Sequence, residues 1–141
     1  MKRFIFGLLL LMIFSSCQEY PIGCGYWYIK NNTSTTLNVS WQHPHNKNPE
    51  KELVPGDSVL LHKTNWTYPT IVNHKEIFNE RFVVDSVSVA DCKNNQLSLH
   101  DRASECKMYK ISSWEFYDIR THYYNYVWVY ELTENDIQNL Y

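Results

Sequence analysis

Hydrophobic and polar residues alternate most strictly over Thr36 to His43, where Leu37, Val39 and Trp41 interleave with Thr36, Asn38, Ser40 and Gln42. A period of two puts the apolar set on one face, which predicts a strand with one buried and one wet side. Ahead of it Tyr26 to Lys30 is β-rich, and Asn31-Asn32-Thr33-Ser34 supplies a turn, so the two segments are expected to form a hairpin. Pro44 to Lys51 reads as a polar loop. Pro55-Gly56-Asp57 is a tight-turn signal leading into a strand over Ser58 to His62. Phe82 to Ala90 alternates again, with Val83, Val87 and Val89 opposed to Ser86 and Ser88. Gln96 to His100 reads as a shorter strand, and Ile111 to Ile119 has strand composition without clean parity. Tyr123 to Leu132 is the longest segment, apolar at Tyr124, Tyr126, Trp128, Tyr130 and Leu132. Thr133 then caps a turn of helix, Glu134 to Leu140, whose Glu134 and Asp136 lie near its positive end.

About seven or eight short strands separated by turn signals predict an all-β fold, an antiparallel β-sandwich with a short C-terminal helix. A small open barrel is the rival. Trp27, Trp41 and Trp128 sit on apolar faces and belong to the expected core. The chain has 141 residues, enough for one domain.

The first residues follow another pattern. Lys2 and Arg3 precede an uncharged apolar run, Phe4 to Phe14, too short for a spanning helix of about 20 residues. A positive start, an apolar stretch and small residues at its end read as a secretory signal. The run ends in Phe14-Ser15-Ser16-Cys17, which resembles a bacterial lipobox, although Phe14 stands where that pattern prefers Leu. The resemblance implies cleavage before Cys17 and acylation of its thiol and amine. Residues 1–16 are then the signal peptide, 17–24 a lipid-anchored linker and 25–141 the β-sandwich domain. Gln18 stands where an Asp would favour inner-membrane retention, so the outer membrane is expected, with its periplasmic or surface face open.

Charge limits the partners. Thirteen Lys plus Arg stand against 15 Asp plus Glu, too balanced for a nucleic-acid binder. Loss of Lys2 and Arg3 with the leader leaves 11 basic residues against 15 acidic, a body of charge −4 with no basic patch for anionic lipid. Attachment is thus left to the lipid, and two acyl chains suffice for stable anchoring.

Cys24, Cys92 and Cys106 remain as thiols outside the cytosol. Cys92–Cys106 is the favoured disulfide, closing a loop of about 15 residues worth ~3 kcal/mol. Pairing of Cys24 with either, or no bridge, stays open. No C-x-x-C spacing points to zinc. His43-Pro44-His45 could present two rings to one ion, but two ligands do not make a site, so neither a metal nor another cofactor is expected. No nucleophile elbow, H-E-x-x-H helix or phosphate-binding glycine loop occurs, and Glu115 with Asp118 is a glycosidase pair only if a cleft separates them. The chain therefore does not read as an enzyme.

The aromatics that strand parity leaves unassigned, Trp66, Tyr68, Trp114, Tyr117, Tyr123 and Tyr124, are candidates for stacking sugar rings; their alternative is core or rim packing. Asp57-Ser58-Val59 and Asp85-Ser86-Val87 resemble an O-glycosylation pattern of some Gram-negative bacteria, which would modify Ser58 and Ser86. The Asn-Asn-Thr-Ser-Thr turn, Pro-Gly-Asp-Ser and the closing Tyr-rich strand together resemble the small uncharacterised β-rich lipoproteins of such bacteria. That resemblance assigns no residue. An anchor, a rigid β body and no catalytic signature point to an envelope protein that binds or scaffolds, and the unassigned aromatics offer a glycan-binding accessory as the alternative.

Overall fold

A computed structural model describes residues 23–44, 49–66, 73–121 and 123–138. The chain folds as the expected all-β sandwich with a short C-terminal helix. Eight strands run β1 (Gly23–Asn31), β2 (Leu37–Gln42), β3 (Glu50–Leu53), β4 (Ser58–Trp66), β5 (Ser86–Asp91), β6 (Gln96–Asp101), β7 (Glu115–Arg120) and β8 (Tyr124–Leu132). Helix α1 (His74–Arg81) lies between β4 and β5, and α2 (Glu134–Gln138) follows β8. One sheet has the order β4-β1-β8-β7, the other β3-β2-β5-β6.

The expected hairpin does not form. β1 and β2 belong to different sheets, and the Asn31–Ser34 turn carries the chain across the sandwich. Buried Asn31 builds that crossing. Its amide donates to the carbonyls of Thr35 (2.8 Å) and Leu53 (2.9 Å), while its oxygen accepts from the Thr33 amide and hydroxyl. The turn chemistry was legible, but nothing in it says whether the flanking strands pair. The first sheet also departs from an antiparallel pattern, because β1 runs parallel to β8 along its whole length. The intervening strands form the crossover that a parallel pair requires.

β1 begins at Gly23, so Gly23 and Cys24 are strand rather than linker. Glu50–Leu53, inside and just beyond the expected polar loop, forms edge strand β3, in which Leu53 alone is buried. Three single-turn 3₁₀ segments precede β7, so the region from Ile111 is irregular until Glu115. Phe82 to Asp85 also lies outside the strand expected there, and β5 starts at Ser86. No expectation covered α1, whose Asn73 cap accepts from the Lys75 amide at 3.1 Å. It has two buried side chains, Ile77 and Phe78, too few to imprint a helical period on the sequence.

The core is aromatic. Trp27 stacks on Trp128 (centroids 4.5 Å, 11° between planes) and on Phe82 (5.9 Å), with Phe78 of α1 meeting both tryptophans. Trp41 is buried with them, as its alternation predicts. Gly25 leaves the space these rings fill: a Cβ there would lie 2.8 Å from the Trp27 ring and 3.2 Å from Trp128.

Candidate functional site

The long β8 strand carries one row of aromatic rings out of the core. Trp128 and Tyr130 are fully covered, Tyr126 is half-buried, and Tyr124 is 42% exposed. The inner face of the sheet therefore continues past the core as an aromatic end. Tyr126 lies 5.6 Å from Trp66 of β4, 5.3 Å from Phe116 of β7 and 6.2 Å from Tyr124. His74 of α1 stacks on Phe116 at 4.3 Å. Gly23 makes room for Trp66, since a Cβ at Gly23 would fall 2.2 Å from the indole. The rings are thus packed into place by strand register and by a residue without a side chain.

Polar groups border this end. Antiparallel pairing sets Asp118 opposite Tyr126 and Arg120 opposite Tyr124. The Arg120 guanidinium lies over the Tyr124 ring, 5.4 Å from its centroid, and donates through Nε to Asp118 Oδ2 at 2.9 Å. A cation over an aromatic face adds electrostatic attraction to packing. Burial, followed by the nearby Asp118 charge, raises the Tyr126 phenol above its ordinary value. Arg120, Thr121, Tyr123 and Tyr124 line an open cavity of about 200 Å³ at the β7–β8 turn. Two exposed phenol rings, a guanidinium and a hydroxyl in one hollow can stack a sugar face and hydrogen-bond its hydroxyls.

The candidate residues do not all meet there. Tyr123 and Tyr124 share the cavity, and Trp66 reaches its aromatic surroundings through Tyr126. Trp114 is 7% exposed, edge-on to Phe78 and Phe82, and its indole N–H donates to the Met108 carbonyl. It is a core residue, which corrects the expectation of a sugar platform. Strand alternation sends Tyr117 to the outer face of the sheet, where its hydroxyl donates to Glu115. That outer face has its own shallow hollow, about 350 Å³, lined by Tyr28, Tyr117, Ile119, Val127 and Val129 among charged neighbours. Tyr68 and Cys17 lie outside the described residues.

The cysteine expectation is corrected too. Cys24, Cys92 and Cys106 are all free thiols. Cys92 sits in the turn before β6 and Cys106 lies beyond that strand's far end, so six strand residues hold them apart. From Gln96 beside that turn to His100, which Cys106 contacts, the strand rises about 13 Å, and a disulfide needs Cα atoms within about 7 Å. Cys106 instead places its sulfur 2.9 Å from His100 Nδ1.

Glu115 and Asp118 do not face one cleft, since they lie three apart on a strand and point to opposite faces. His43 meets His62 across the sandwich (Nε2 to Nδ1, 3.1 Å), while His45 lies outside the described residues. Among the described residues no three potential ligands gather around a metal position. Ser58 is exposed at the start of β4, and Ser86 is half-buried at the start of β5. Sequence reasoning missed Arg120 and Thr121 as site residues; the signal was their position at the turn into the Tyr-rich strand. No family model, curated protein or solved structure matches this chain, so the reading of the site rests on its geometry.

Proposed function

We propose that this chain is an envelope lipoprotein, acylated at Cys17 and held at the outer membrane, whose sandwich is a binding module for a saccharide. The observation that carries the ligand class is the pair of exposed rings, Tyr123 and Tyr124, sharing one hollow with Arg120. Aromatic faces beside hydrogen-bonding groups suit the mixed apolar and hydroxylated surface of a sugar. Orientation supports a ligand displayed at the membrane. Gly23 of β1 pairs with both Trp66 and Tyr124, so the chain enters the domain at its aromatic end. The stretch from Cys17 to Gly23 reaches about 20 Å when extended. An acylated Cys17 would therefore hold this end close to the bilayer.

Two experiments test the proposal. Metabolic labelling with a palmitate analogue should mark the wild type and leave Cys17→Ala unlabelled; equal labelling removes the anchor. Binding to envelope polysaccharides should be lost in Tyr124→Ala and weakened in Tyr123→Ala, with Tyr117→Ala unchanged as the control on the opposite face. Loss of one stacked ring costs about 1 kcal/mol or more, a five- to tenfold fall in affinity. Absence of binding to any polysaccharide would leave the outer face around Tyr117 and Ile119, 48% and 52% exposed, as a protein-docking surface.

A further inference from the structure

We propose that Cys106 is a histidine-activated thiol that exchanges with small, carboxylate-bearing disulfides, with His100 as its general base and Ser98 positioning the imidazole. Three side chains form one chain of contacts. Ser98 Oγ lies 2.9 Å from His100 Nε2, and His100 Nδ1 lies 2.9 Å from Cys106 Sγ. Ser98 and His100 alternate on the inner face of β6, where they are 1% and 4% exposed, so the ring is clamped. Cys106 follows the strand's end and is half-buried. A nucleophile touching a base that a third group orients is the arrangement that activates serine and cysteine side chains.

The thiol also has room for a partner. It borders one cleft of about 250 Å³ with Ser98, His100, Lys107, Asn135 and Asp136. On its other side lies a hollow of about 330 Å³ that includes Arg102, Glu105, Tyr109 and Lys110. Lys107 is paired with Asp136 in the cleft, whereas Arg102 and Lys110 outnumber Glu105 in the hollow, so the hollow favours an anionic reactant, and reactive cysteines sit in such partly exposed, electropositive surroundings. Exposed Cys92 lies in the β5–β6 turn, away from this imidazole.

In the exchange the Cys106 proton moves to His100 Nδ1 while Sγ attacks one sulfur of the disulfide. A Cys106–S bond forms, the S–S bond of the reactant breaks, and the departing thiolate takes the proton from His100. One mixed disulfide and one free thiol result. Burial lowers the basicity of His100, outweighing the pull of the Asp136 carboxylate, and Lys107 lowers it further. The ring is then neutral, hence a base, at neutral pH. Tyr130 and Tyr109 also border the cluster, with the Asp101 and Asp85 carboxylates near Tyr109, and burial raises both phenols further above their ordinary value.

The full chain in detergent is incubated with cystine, quenched in acid and mapped by peptide mass spectrometry, so that Cys24, Cys92 and Cys106 are read separately. At pH 6.5 an unassisted thiol is about 1% ionised, so Cys106 should react at least about tenfold faster than the more exposed Cys92. His100→Gln should bring Cys106 to or below the rate of Cys92, and Ser98→Ala should weaken the advantage at low pH more than at high pH. Should His100→Gln not fold, the wild-type profile decides: the Cys106-to-Cys92 rate ratio should rise as pH falls from 8.5 to 6.5. Faster reaction at Cys92, a ratio independent of pH, or a His100→Gln rate equal to wild type overturns the proposal.

Discussion

Gly25→Ala adds one methyl group at the centre of the aromatic core, and its consequence follows from the positions of two rings. In an exposed strand the change would stabilise the fold by about 0.4–1 kcal/mol, because Ala restricts the unfolded chain more than Gly does. Here the new Cβ would stand 2.8 Å and 2.9 Å from carbons of Trp27 and 3.2 Å from Trp128. Both indoles are fully buried and stacked on each other, so neither has free space to enter. Overpacking of this kind costs about 1–3 kcal/mol, which exceeds the entropic gain. The expected net loss is about 1–2 kcal/mol. Urea unfolding of residues 18–141, followed by tryptophan fluorescence, measures it as a lower midpoint at unchanged slope. Trp27→Phe removes the carbons that the methyl would strike, so Gly25→Ala in that background should cost little or nothing. A neutral or stabilising Gly25→Ala in the wild type, or equal cost in both backgrounds, would refute the packing argument.

Two further outcomes are expected. Trp41→Ala and Trp114→Ala should each cost about 3–5 kcal/mol, because both rings are core; a loss below about 1 kcal/mol for Trp114 would return it to the surface as a ligand platform. Stability should fall on acidification. Burial and the neighbouring His43 ring hold His62 below its ordinary 6.5, and burial does the same for His100. At higher pH both are neutral folded or unfolded, but below about pH 6.5 the unfolded chain takes protons that the folded state refuses. Each histidine can then contribute a slope of up to about 1.4 kcal/mol per pH unit, ending at its folded pKa. Denaturation midpoints from pH 7.5 to 5 should decline, and less steeply in His62→Gln; a flat or rising series would contradict this.

Strands were legible where a single face is buried. Leu37, Val39 and Trp41 alternate in the sequence because β2 has one neighbour layer inside and water outside, and Val87 and Val89 do so for the same reason. The pattern weakens wherever burial is not one-sided. β3 buries Leu53 alone, and α1 buries two residues of eight, so neither writes a period into the chain. Pairing was less legible still. Alternation specifies which face is inside but not which strand lies beside which, and the same turn residues that close a hairpin here build the Asn31 crossing between sheets. The β1–β8 parallel pair joins opposite ends of the described chain, a contact with no local signature at all.

The candidate site follows from a limit of the same kind. Tyr124, Tyr126, Trp128 and Tyr130 share one parity and one residue class, so nothing in the local pattern separates ligand platform from core. What separates them is where the partner elements stop. Phe78 covers Trp128 and Trp114 covers Tyr130, but beside Tyr126 the cover thins to Trp66 and Phe116, and beside Tyr124 an arginine replaces it. Burial along β8 is therefore a property of its neighbours in space, whereas parity is a property of the strand itself. The same distinction explains the cysteines. Their spacing suggested a loop that a disulfide could close, but the intervening residues are an extended β6, which holds the two ends apart and delivers Cys106 to His100. Sequence separation bounds the chemistry of a pair only when the conformation between them is known.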